Sequence, residues 1–290
     1  MVKPLFCFCC MFRWFEVPSS QFGRALAFLL VAVSVLGCSE SRSGPQLRRA
    51  KSFVEDPNTL VVTTEPAFPP FVYLNSEGQL VGFDVDLMNE IAQRLDLGVR
   101  YAYIPFDGLF ATLEAETADA SINAMTITSE RDEAIDFSRP YFQSGLAVAV
   151  RSDATDIITF ADLAGRKVAV KLGTTGAELA AQVPGVQLIT FDSAEKALID
   201  LSKGNVDAVI KDEPTTLGMI EQANIDNVSL LAGLLTEEYY GIGLPPDSPN
   251  KRFIDQAIND MIADGTYERL YRKWFKRTPP DLPERVPTME

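Results

Sequence analysis

The sequence predicts an α/β protein with two similar lobes, each a mainly parallel sheet flanked by helices. From Leu60 onward, short runs rich in β-branched residues alternate with amphipathic segments, which is typical of strand–helix–strand units. The length of 290 residues is about twice that of a typical domain. A short pattern also recurs, because Leu113 and Leu201 are each followed six residues later by an Asp-Ala pair that opens a strand. We therefore expect two lobes rather than one large sheet.

Individual elements follow from the residue patterns. The predicted strands are Leu60–Thr64, Val99–Ile104, Asp119–Asn123, Lys167–Leu172, Val186–Phe191 and Val206–Ile210. A helix is predicted over Val85–Leu95, where apolar residues recur on one face and Asp84 is the expected N-cap. Another is predicted over Phe253–Ala263, stopped by Gly265. The last helix is predicted from side chains at helical spacing, namely Tyr267, Leu270, Tyr271 and Trp274.

The ends of the predicted strands define a candidate ligand site. In open α/β sheets, ligands bind beyond the carboxyl ends of the parallel strands. Two such lobes facing each other would place four strand-end segments around one cleft, namely Glu65–Phe71, Asn123–Arg131, Lys171–Thr175 and Lys211–Asp212. The sequence therefore predicts a cleft between the lobes as the binding site.

The N-terminal segment has the pattern of a secretory signal. A basic residue precedes the apolar run Ala25–Leu36, which is too short to span a bilayer but suits a signal peptide. The stretch Val35–Cys38 resembles a bacterial lipoprotein box, in which the cysteine is acylated and becomes the mature N-terminus. We expect residues 1–37 to be a signal, Cys38 to be lipidated and residues 38–59 to be a flexible tether. An ordinary signal peptide with a chance cysteine is the alternative.

Composition excludes several function classes. The 26 basic and 40 acidic residues give a net charge of −14, which repels phosphate backbones, so no nucleic-acid partner is expected. The chain has no histidine, and its four cysteines lie within the first 38 residues, so the body cannot carry a Ser-His or Cys-His triad. Asp84 and Asp86 have no third oxygen ligand in sight, and we expect no metal or cofactor. Catalysis by carboxylate or lysine stays open.

Short motifs run through the body in a fixed order. They are Glu65-Pro66-Ala67-Phe68-Pro69-Pro70-Phe71, Gly82-Phe83-Asp84-Val85-Asp86-Leu87-Met88-Asn89-Glu90-Ile91-Ala92, Thr126-Ile127-Thr128-Ser129-Glu130-Arg131, Ile135-Asp136-Phe137-Ser138, Gly173-Thr174-Thr175, Asp212-Glu213, Gly265-Thr266-Tyr267 and Lys273-Trp274-Phe275. This ordered set resembles the bacterial extracellular solute-binding proteins of family 3, the amino-acid receptors of ABC importers. Within that family the individual likeness is greatest to the glutamine-binding protein.

The resemblance implies a type II periplasmic-binding-protein clamshell, with two crossover strands as the hinge. It places lobe 1 at residues 60–143 and 240–277 and lobe 2 at residues 144–239. Residues 278–290 remain as a proline-rich tail that we expect to be disordered. The resemblance also implies a non-enzymatic protein that passes an amino acid to a membrane permease. We expect a monomer in the periplasm or at the cell surface, tethered through its lipid.

The resemblance also implies which residues hold the two ends of an amino acid. Arg131 matches the arginine that clamps the ligand carboxylate, because a guanidinium can donate two parallel charge-assisted hydrogen bonds. Asp212 matches the aspartate that accepts the ligand ammonium. Thr126 and the backbone near Ala124 would add donors to the carboxylate, and Asn123 borders the pocket.

Other matching positions concern the ligand side chain. Phe68 and Phe106 match the aromatic residues that sandwich the aliphatic stem. Glu65 and Lys171 match positions that reach side-chain atoms in the glutamine receptor, although Glu65 is longer than the aspartate found there. Lys211 stands where that receptor has a histidine and adds a positive charge. Glutamine is therefore the favoured ligand, and another polar or acidic amino acid stays open.

The turn that contains Thr174 and Thr175 has two interpretations. Its amides and hydroxyls lie between a predicted strand and a predicted helix, where they could bind an anion. The same residues could equally form an ordinary βα turn with a threonine cap.

Two functions other than transport stay open at this stage. Relatives with the same fold include cyclohexadienyl dehydratases acting on arogenate or prephenate, for which Glu213, Glu65 and Lys171 are the candidate groups here. A sensory amino-acid receptor is the other alternative.

Overall fold

The computed structural model describes residues 58–286, and all further structural statements concern this part of the chain. The predicted signal, Cys38 and nearly all of the predicted tether lie outside the described residues. All six predicted strands and all three predicted helices are present, most with ends shifted by one or two residues. Within residues 58–286, no helix is both long enough and apolar enough to cross a membrane.

Strands and helices alternate along the described chain. The strands are β1 (Thr59–Thr64), β2 (Ala67–Phe68), β3 (Val72–Leu74), β4 (Leu80–Val81), β5 (Gly98–Tyr103), β6 (Ala120–Thr126), β7 (Asp136–Phe137), β8 (Phe142–Ser144), β9 (Leu146–Arg151), β10 (Lys167–Lys171), β11 (Gln187–Phe191), β12 (Ala208–Asp212), β13 (Val228–Leu230) and β14 (Glu238–Leu244). The helices are α1 (Phe83–Arg94), α2 (Phe106–Glu114), α3 (Ser129–Ala134), α4 (Thr175–Ala180), α5 (Ala194–Ser202), α6 (Glu213–Gln222), α7 (Lys251–Ala263) and α8 (Thr266–Phe275). A short 3₁₀ helix spans Phe160–Leu163.

The first lobe contains a six-stranded sheet in the order β5-β1-β6-β14-β7, with β8 also paired to β14. Strand β1 pairs in parallel with β5 and β6, whereas β14 runs antiparallel to its neighbours. Helices α1 and α2 pack on this sheet, and α7 and α8 pack against α1. The parallel strands β5, β1 and β6 end at the same edge, which brings the residues that follow them together.

The second lobe repeats this arrangement around a five-stranded sheet in the order β11-β10-β12-β9-β13. Its parallel strands are β11, β10 and β12, while β9 and β13 are antiparallel. Both sheets are therefore mixed rather than mainly parallel, because the chain crosses between the lobes through antiparallel strands. The first crossing leads from β8 to β9, and the return leads from β13 to β14.

The start of helix α1 corrects the prediction that Asp84 is its N-cap. The cap is Gly82, with a φ of 141° and no side-chain capping hydrogen bond. A β-carbon at this position would lie 1.8 Å from the carbonyl oxygen of Phe71, so only glycine fits. Asp84 is the second residue of the helix, in its first turn, and is fully buried. Its carboxylate does not cap the helix and is therefore available for a contact with strand β6.

The segment after α8 also differs from the expectation of disorder. The side chain of Leu282 packs on the apolar core beside α7 and α8. The Thr278 hydroxyl accepts a hydrogen bond of 2.7 Å from Arg272 Nη2. Residues 278–286 are thus held by defined contacts of Thr278 and Leu282. Residues 287–290 lie outside the described range.

Candidate functional site

The four strand-end segments predicted to form the cleft come together where the two lobes meet. Lys171, at the end of β10, forms an ion pair with Glu65, which follows β1, at 2.9 Å between Nζ and Oε2. The Nη2 atom of Arg131 donates a 3.0 Å hydrogen bond to the Gly173 carbonyl oxygen. The ammonium of Lys211 lies 4.6 Å from the centre of the Phe68 ring. Each contact joins a residue of one lobe to a residue of the other.

The charged groups of Glu65 and Lys171 both form hydrogen bonds and an ion pair within the protein. The Glu65 carboxylate accepts a 3.0 Å hydrogen bond from the backbone amide of Phe106 in addition to the Lys171 ion pair. The Lys171 ammonium also donates to the Asp192 carbonyl oxygen at 2.8 Å. These two predicted site residues therefore form a nearly neutral, partly buried pair across the cleft.

Phe68 and Phe106 form an aromatic wall on the first lobe. Both are buried, with their ring centres 5.9 Å apart. The Arg131 guanidinium lies 5.7 Å from the Phe106 ring centre and 5.1 Å from that of Phe110, within the range of cation–π attraction. The wall therefore supplies apolar area and helps to hold the arginine in place.

Arg131 follows β6, on the short helix α3. Its Nη1 donates to the Thr126 carbonyl oxygen at 2.8 Å and its Nη2 to that of Gly173 at 3.0 Å. Burial lowers the pKa of Arg131, although the charges of Glu178, Glu238 and Asp212 act in the opposite direction. In the part of the chain that the structure describes, no carboxylate forms an ion pair with Arg131, and a guanidinium has five N–H donors. Donors therefore remain for a ligand carboxylate.

The backbone and hydroxyl donors predicted beside Arg131 are engaged within the protein. The Ala124 amide donates to the Asp84 carboxylate at 2.8 Å, so it is not a free donor for a ligand. Burial raises the pKa of Asp84 to about 7. The Asn123 Oδ1 accepts hydrogen bonds from Thr64 Oγ1 and from the Glu65 amide, at 2.8 and 2.6 Å. Its Nδ2 is buried and has no hydrogen-bond partner among the described residues.

Glu238 is a site residue that the sequence does not reveal. It opens the return strand β14 and is 5% exposed. Its Oε2 accepts a 2.9 Å hydrogen bond from the hydroxyl of Thr126, in lobe 1, and a 3.2 Å bond from that of Thr175, in lobe 2. Burial, together with the negative charge of Asp212, raises the pKa of Glu238 to about 6. An acid in a Glu-Glu pair before an apolar strand is the only sequence signal.

Asp212 ends β12 and is held by a second residue that the sequence does not single out. Its Oδ1 accepts a 2.7 Å hydrogen bond from the hydroxyl of Tyr240 on β14. Its Oδ2 is 3.4 Å from the ammonium of Lys211. Because a carboxylate offers about four acceptor positions, Asp212 retains capacity for a further cation.

In the turn before α4, the contacts of Thr174 match the interpretation as a threonine cap. Thr174 is the N-cap of α4, where its hydroxyl accepts from the Ala177 amide at 3.3 Å and donates to the Lys171 carbonyl oxygen at 2.8 Å. The hydroxyl of Thr175 is bound to Glu238. Neither side chain is thus a free donor.

A cavity of about 470 Å³ opens beside Thr126, Thr175 and Glu238. This volume lies within the range of small-molecule sites. The residues around it do not include Arg131 or Asp212, because the lobes are in contact over that pair. Among residues 58–286, no group of three or more histidine, cysteine, aspartate or glutamate side chains is arranged to hold a metal ion.

Comparison with known proteins identifies the family. Residues 60–277 match the bacterial extracellular solute-binding proteins, family 3. The chain belongs to this family. It is 32% identical to the L-cystine-binding protein TcyJ of Escherichia coli strain K12 over 77% of this chain and 84% of the relative. It is 31% identical to the ABC transporter arginine-binding protein 1 of the same strain, over 72% of this chain and 87% of that relative.

Solved structures of the same kind share the two-lobe fold. An ancestral arginine-binding protein bound to glutamine superimposes with a TM-score of 0.73 and 37% identity, covering 76% of this chain and 99% of that chain. The predicted family and fold are therefore confirmed.

Proposed function

We propose that this solute-binding protein serves an ABC importer, capturing a polar L-amino acid between its lobes and delivering it to the membrane permease. Glutamine is the favoured ligand. The observation that carries the proposal is that Arg131, from lobe 1, and Asp212, from lobe 2, face the same inter-lobe boundary with hydrogen-bonding capacity left on each. Burial lowers the pKa of Arg131, and the negative charge of Asp212 lies close enough to the guanidinium to act in the opposite direction.

An α-amino acid is a zwitterion, so its receptor needs a cation for the carboxylate and an acceptor for the ammonium. The guanidinium of Arg131 can hold the carboxylate through two parallel bonds. The carboxylate of Asp212 can accept the ammonium, while Phe68 and Phe106 cover the aliphatic stem. Burial of these groups strengthens both ionic contacts, because the aromatic wall excludes water.

Closure of the cleft is the signal that the permease would receive. The ligand contacts both lobes only in the closed state, so its binding shifts the population toward that state by its differential affinity. In this proposal lobe 1 comprises residues 60–143 and 240–277, lobe 2 comprises residues 144–239, and the protein acts as a monomer. Residues 1–37 direct export, and the lipid on Cys38 tethers the protein to a membrane in the periplasm or at the cell surface. No bond of the ligand is broken.

The relatives support this assignment at the level of ligand class. The names of TcyJ and of arginine-binding protein 1 state an amino acid as ligand, and the second also names the ABC transporter. The solved structure of an ancestral arginine-binding protein is described as bound to glutamine.

Replacing Asp212 tests the proposal. We expect Asp212→Asn to weaken L-glutamine binding by about 2–5 kcal/mol, because the ligand ammonium loses its buried counter-charge. Isothermal titration calorimetry of the protein without residues 1–37 measures this loss. Tyr240→Phe is the matched control, since it removes the hydroxyl that binds Asp212 but keeps the carboxylate. An Asp212→Asn variant with the affinity of the parent protein would exclude the proposed site.

A further inference from the structure

The two buried lysines of the cleft differ in how well the protein satisfies them. Lys171 has an ion pair of 2.9 Å with Glu65 and a hydrogen bond of 2.8 Å to the Asp192 carbonyl oxygen. Among the described residues Lys211 forms a single hydrogen bond, a long one of 3.4 Å to Asp212 Oδ2. An ammonium has three N–H donors, so Lys211 retains two without a protein acceptor in this part of the chain.

Lys211 is buried at the boundary between the lobes. Its side chain is 4% exposed. Its ammonium lies 4.6 Å from the centre of the Phe68 ring, and the ammonium of Lys171 lies 5.4 Å from the same ring. Burial lowers the pKa of Lys211. The negative charge of Asp212 and its hydrogen bond act in the opposite direction, as does the charge of Glu65, whereas the positive charge of Lys171 adds to the lowering. A buried cation with spare donors is costly unless an acceptor reaches it.

The charges around Phe68 leave Lys211 as the group to be neutralised. Glu65 and Lys171 compensate each other. In the proposed function Asp212 is directed to the ligand ammonium, which leaves it less able to neutralise its neighbour. A ligand side chain that lies against Phe68 therefore meets one positive charge in excess.

We propose that Lys211 determines specificity by donating to a side-chain oxygen of the ligand. The ligand class is then the amino acids whose side chains end in a carboxylate or an amide, with the carboxylate gaining more from Lys211, and cationic side chains are rejected. This inference rests on the proposed function and names the ligand class of the same cleft.

Calorimetric titration of the protein and of Lys211→Met with L-glutamate, L-glutamine and L-arginine tests the inference. The parent protein should bind glutamate and glutamine and should bind arginine at least about 100-fold more weakly, because a buried like charge costs several kcal/mol. Lys211→Met should weaken glutamate binding by about 10–100-fold and glutamine binding by about 3–10-fold, because a charge-assisted hydrogen bond is roughly twice as strong as a neutral one. The decisive quantity is the ratio of the loss in glutamate affinity to the loss in glutamine affinity, which should exceed one.

Lys196→Met is the matched control. Lys196 lies in the same lobe but is 65% exposed, so this variant should bind all three ligands like the parent protein. Lys211→Gln, which keeps a polar side chain of similar length, replaces Lys211→Met if thermal unfolding shows that the methionine variant is not folded.

The outcomes separate the two proposals. Tighter binding of arginine than of glutamate by the parent protein, or equal losses of glutamate and glutamine affinity in the Lys211 variants, would overturn the role of Lys211 while leaving the amino-acid receptor intact. If no amino acid binds the parent protein, the proposed function fails and the inference fails with it.

Discussion

The two faces of the cleft are both built from residues at strand ends, but they contribute different kinds of side chain. The face from lobe 1 is an aromatic wall, Phe68 and Phe106, beside an arginine whose hydrogen bonds go to backbone carbonyl oxygens. The face from lobe 2 carries three charged groups at the ends of two neighbouring strands, Lys171, Lys211 and Asp212. Lobe 1 thus supplies the aromatic surface together with the charges of Arg131 and Glu65, whereas these three groups of lobe 2 are all charged.

This difference shows why the contact between the lobes can respond to a ligand. The buried Lys171 has its carboxylate partner on lobe 1, and the guanidinium of Arg131 has one of its acceptors on lobe 2. If either lobe moves away, these groups lose partners but regain water. The closed state is therefore held by contacts of modest net energy, and the two charged ends of a ligand can shift the balance.

The largest expected effect is on the lobe 1 side. Arg131→Ala should weaken amino-acid binding by about 2–5 kcal/mol, because the ligand carboxylate loses its counter-charge in a buried setting. Calorimetric titration measures the loss, and circular dichroism checks that the fold persists. Arg131→Lys sharpens the comparison, since it keeps the charge but not the planar fork, and should recover part of the affinity. Full affinity in Arg131→Ala would mean that the aromatic face carries no clamp.

A smaller effect is expected from a position that touches no proposed ligand contact. Gly218 on α6 of lobe 2 packs against lobe 1, and a β-carbon there would lie 2.4 Å from the Pro69 carbonyl oxygen. Gly218→Ala should therefore disfavour the closed state by about 1–3 kcal/mol, the usual cost of overpacking. Titration should show weaker binding by the corresponding factor. Leu217→Ala, at a half-exposed neighbour on the same helix, is the control. Equal affinities for the two variants would show that closure does not require this contact.

A further effect, on stability rather than on affinity, concerns Glu238, which accepts hydrogen bonds from both lobes. The pKa of Glu238 is raised from 4.5 to about 6 by burial. Because the protonated form is favoured in the folded state, the contribution of Glu238 to stability is present below pH 4.5 and is lost as the pH rises through about 6. Because one pKa unit corresponds to about 1.36 kcal/mol, the free energy of unfolding falls by about 2 kcal/mol over this range.

Thermal unfolding of the parent protein and of Glu238→Gln between pH 4 and pH 7 measures this contribution. The difference in stability between the two proteins should change over that window in favour of the glutamine variant, because other titrating groups such as Asp84 are common to both. Parallel curves would show that Glu238 does not titrate in this way.

The sequence predicts those parts of the fold that are determined by the local pattern of apolar and polar residues. The alternation of strands and helices locates β1, β5, β6, β10, β11 and β12, because each is a short apolar run followed or preceded by an amphipathic segment. The rule that ligands bind at the ends of parallel strands then brings Glu65, Arg131, Lys171 and Asp212 to one boundary. The antiparallel strands cannot be predicted in this way, because no local sequence pattern determines which strand each of them pairs with.

The missed features all depend on partners that are distant in sequence. Asp84 resembles a helix cap, but its carboxylate reaches the Ala124 amide, 40 residues away. Glu238 and Tyr240 contact the site only because the return strand β14 passes beside it. The tail has the composition of a disordered segment, but Leu282 packs on the core and Thr278 accepts a hydrogen bond from Arg272. Tertiary contacts override composition in each case.

The central claim is that one lobe holds the acid end of a small zwitterion and the other holds its amine. Titration of the protein with L-glutamine, with its carboxamide analogue and with its N-acetyl analogue tests both ends directly. The account predicts that L-glutamine binds, while blocking either end lowers the affinity by about 2–5 kcal/mol, as expected for a lost buried charge pair. Binding of either blocked analogue with the affinity of glutamine itself would contradict it.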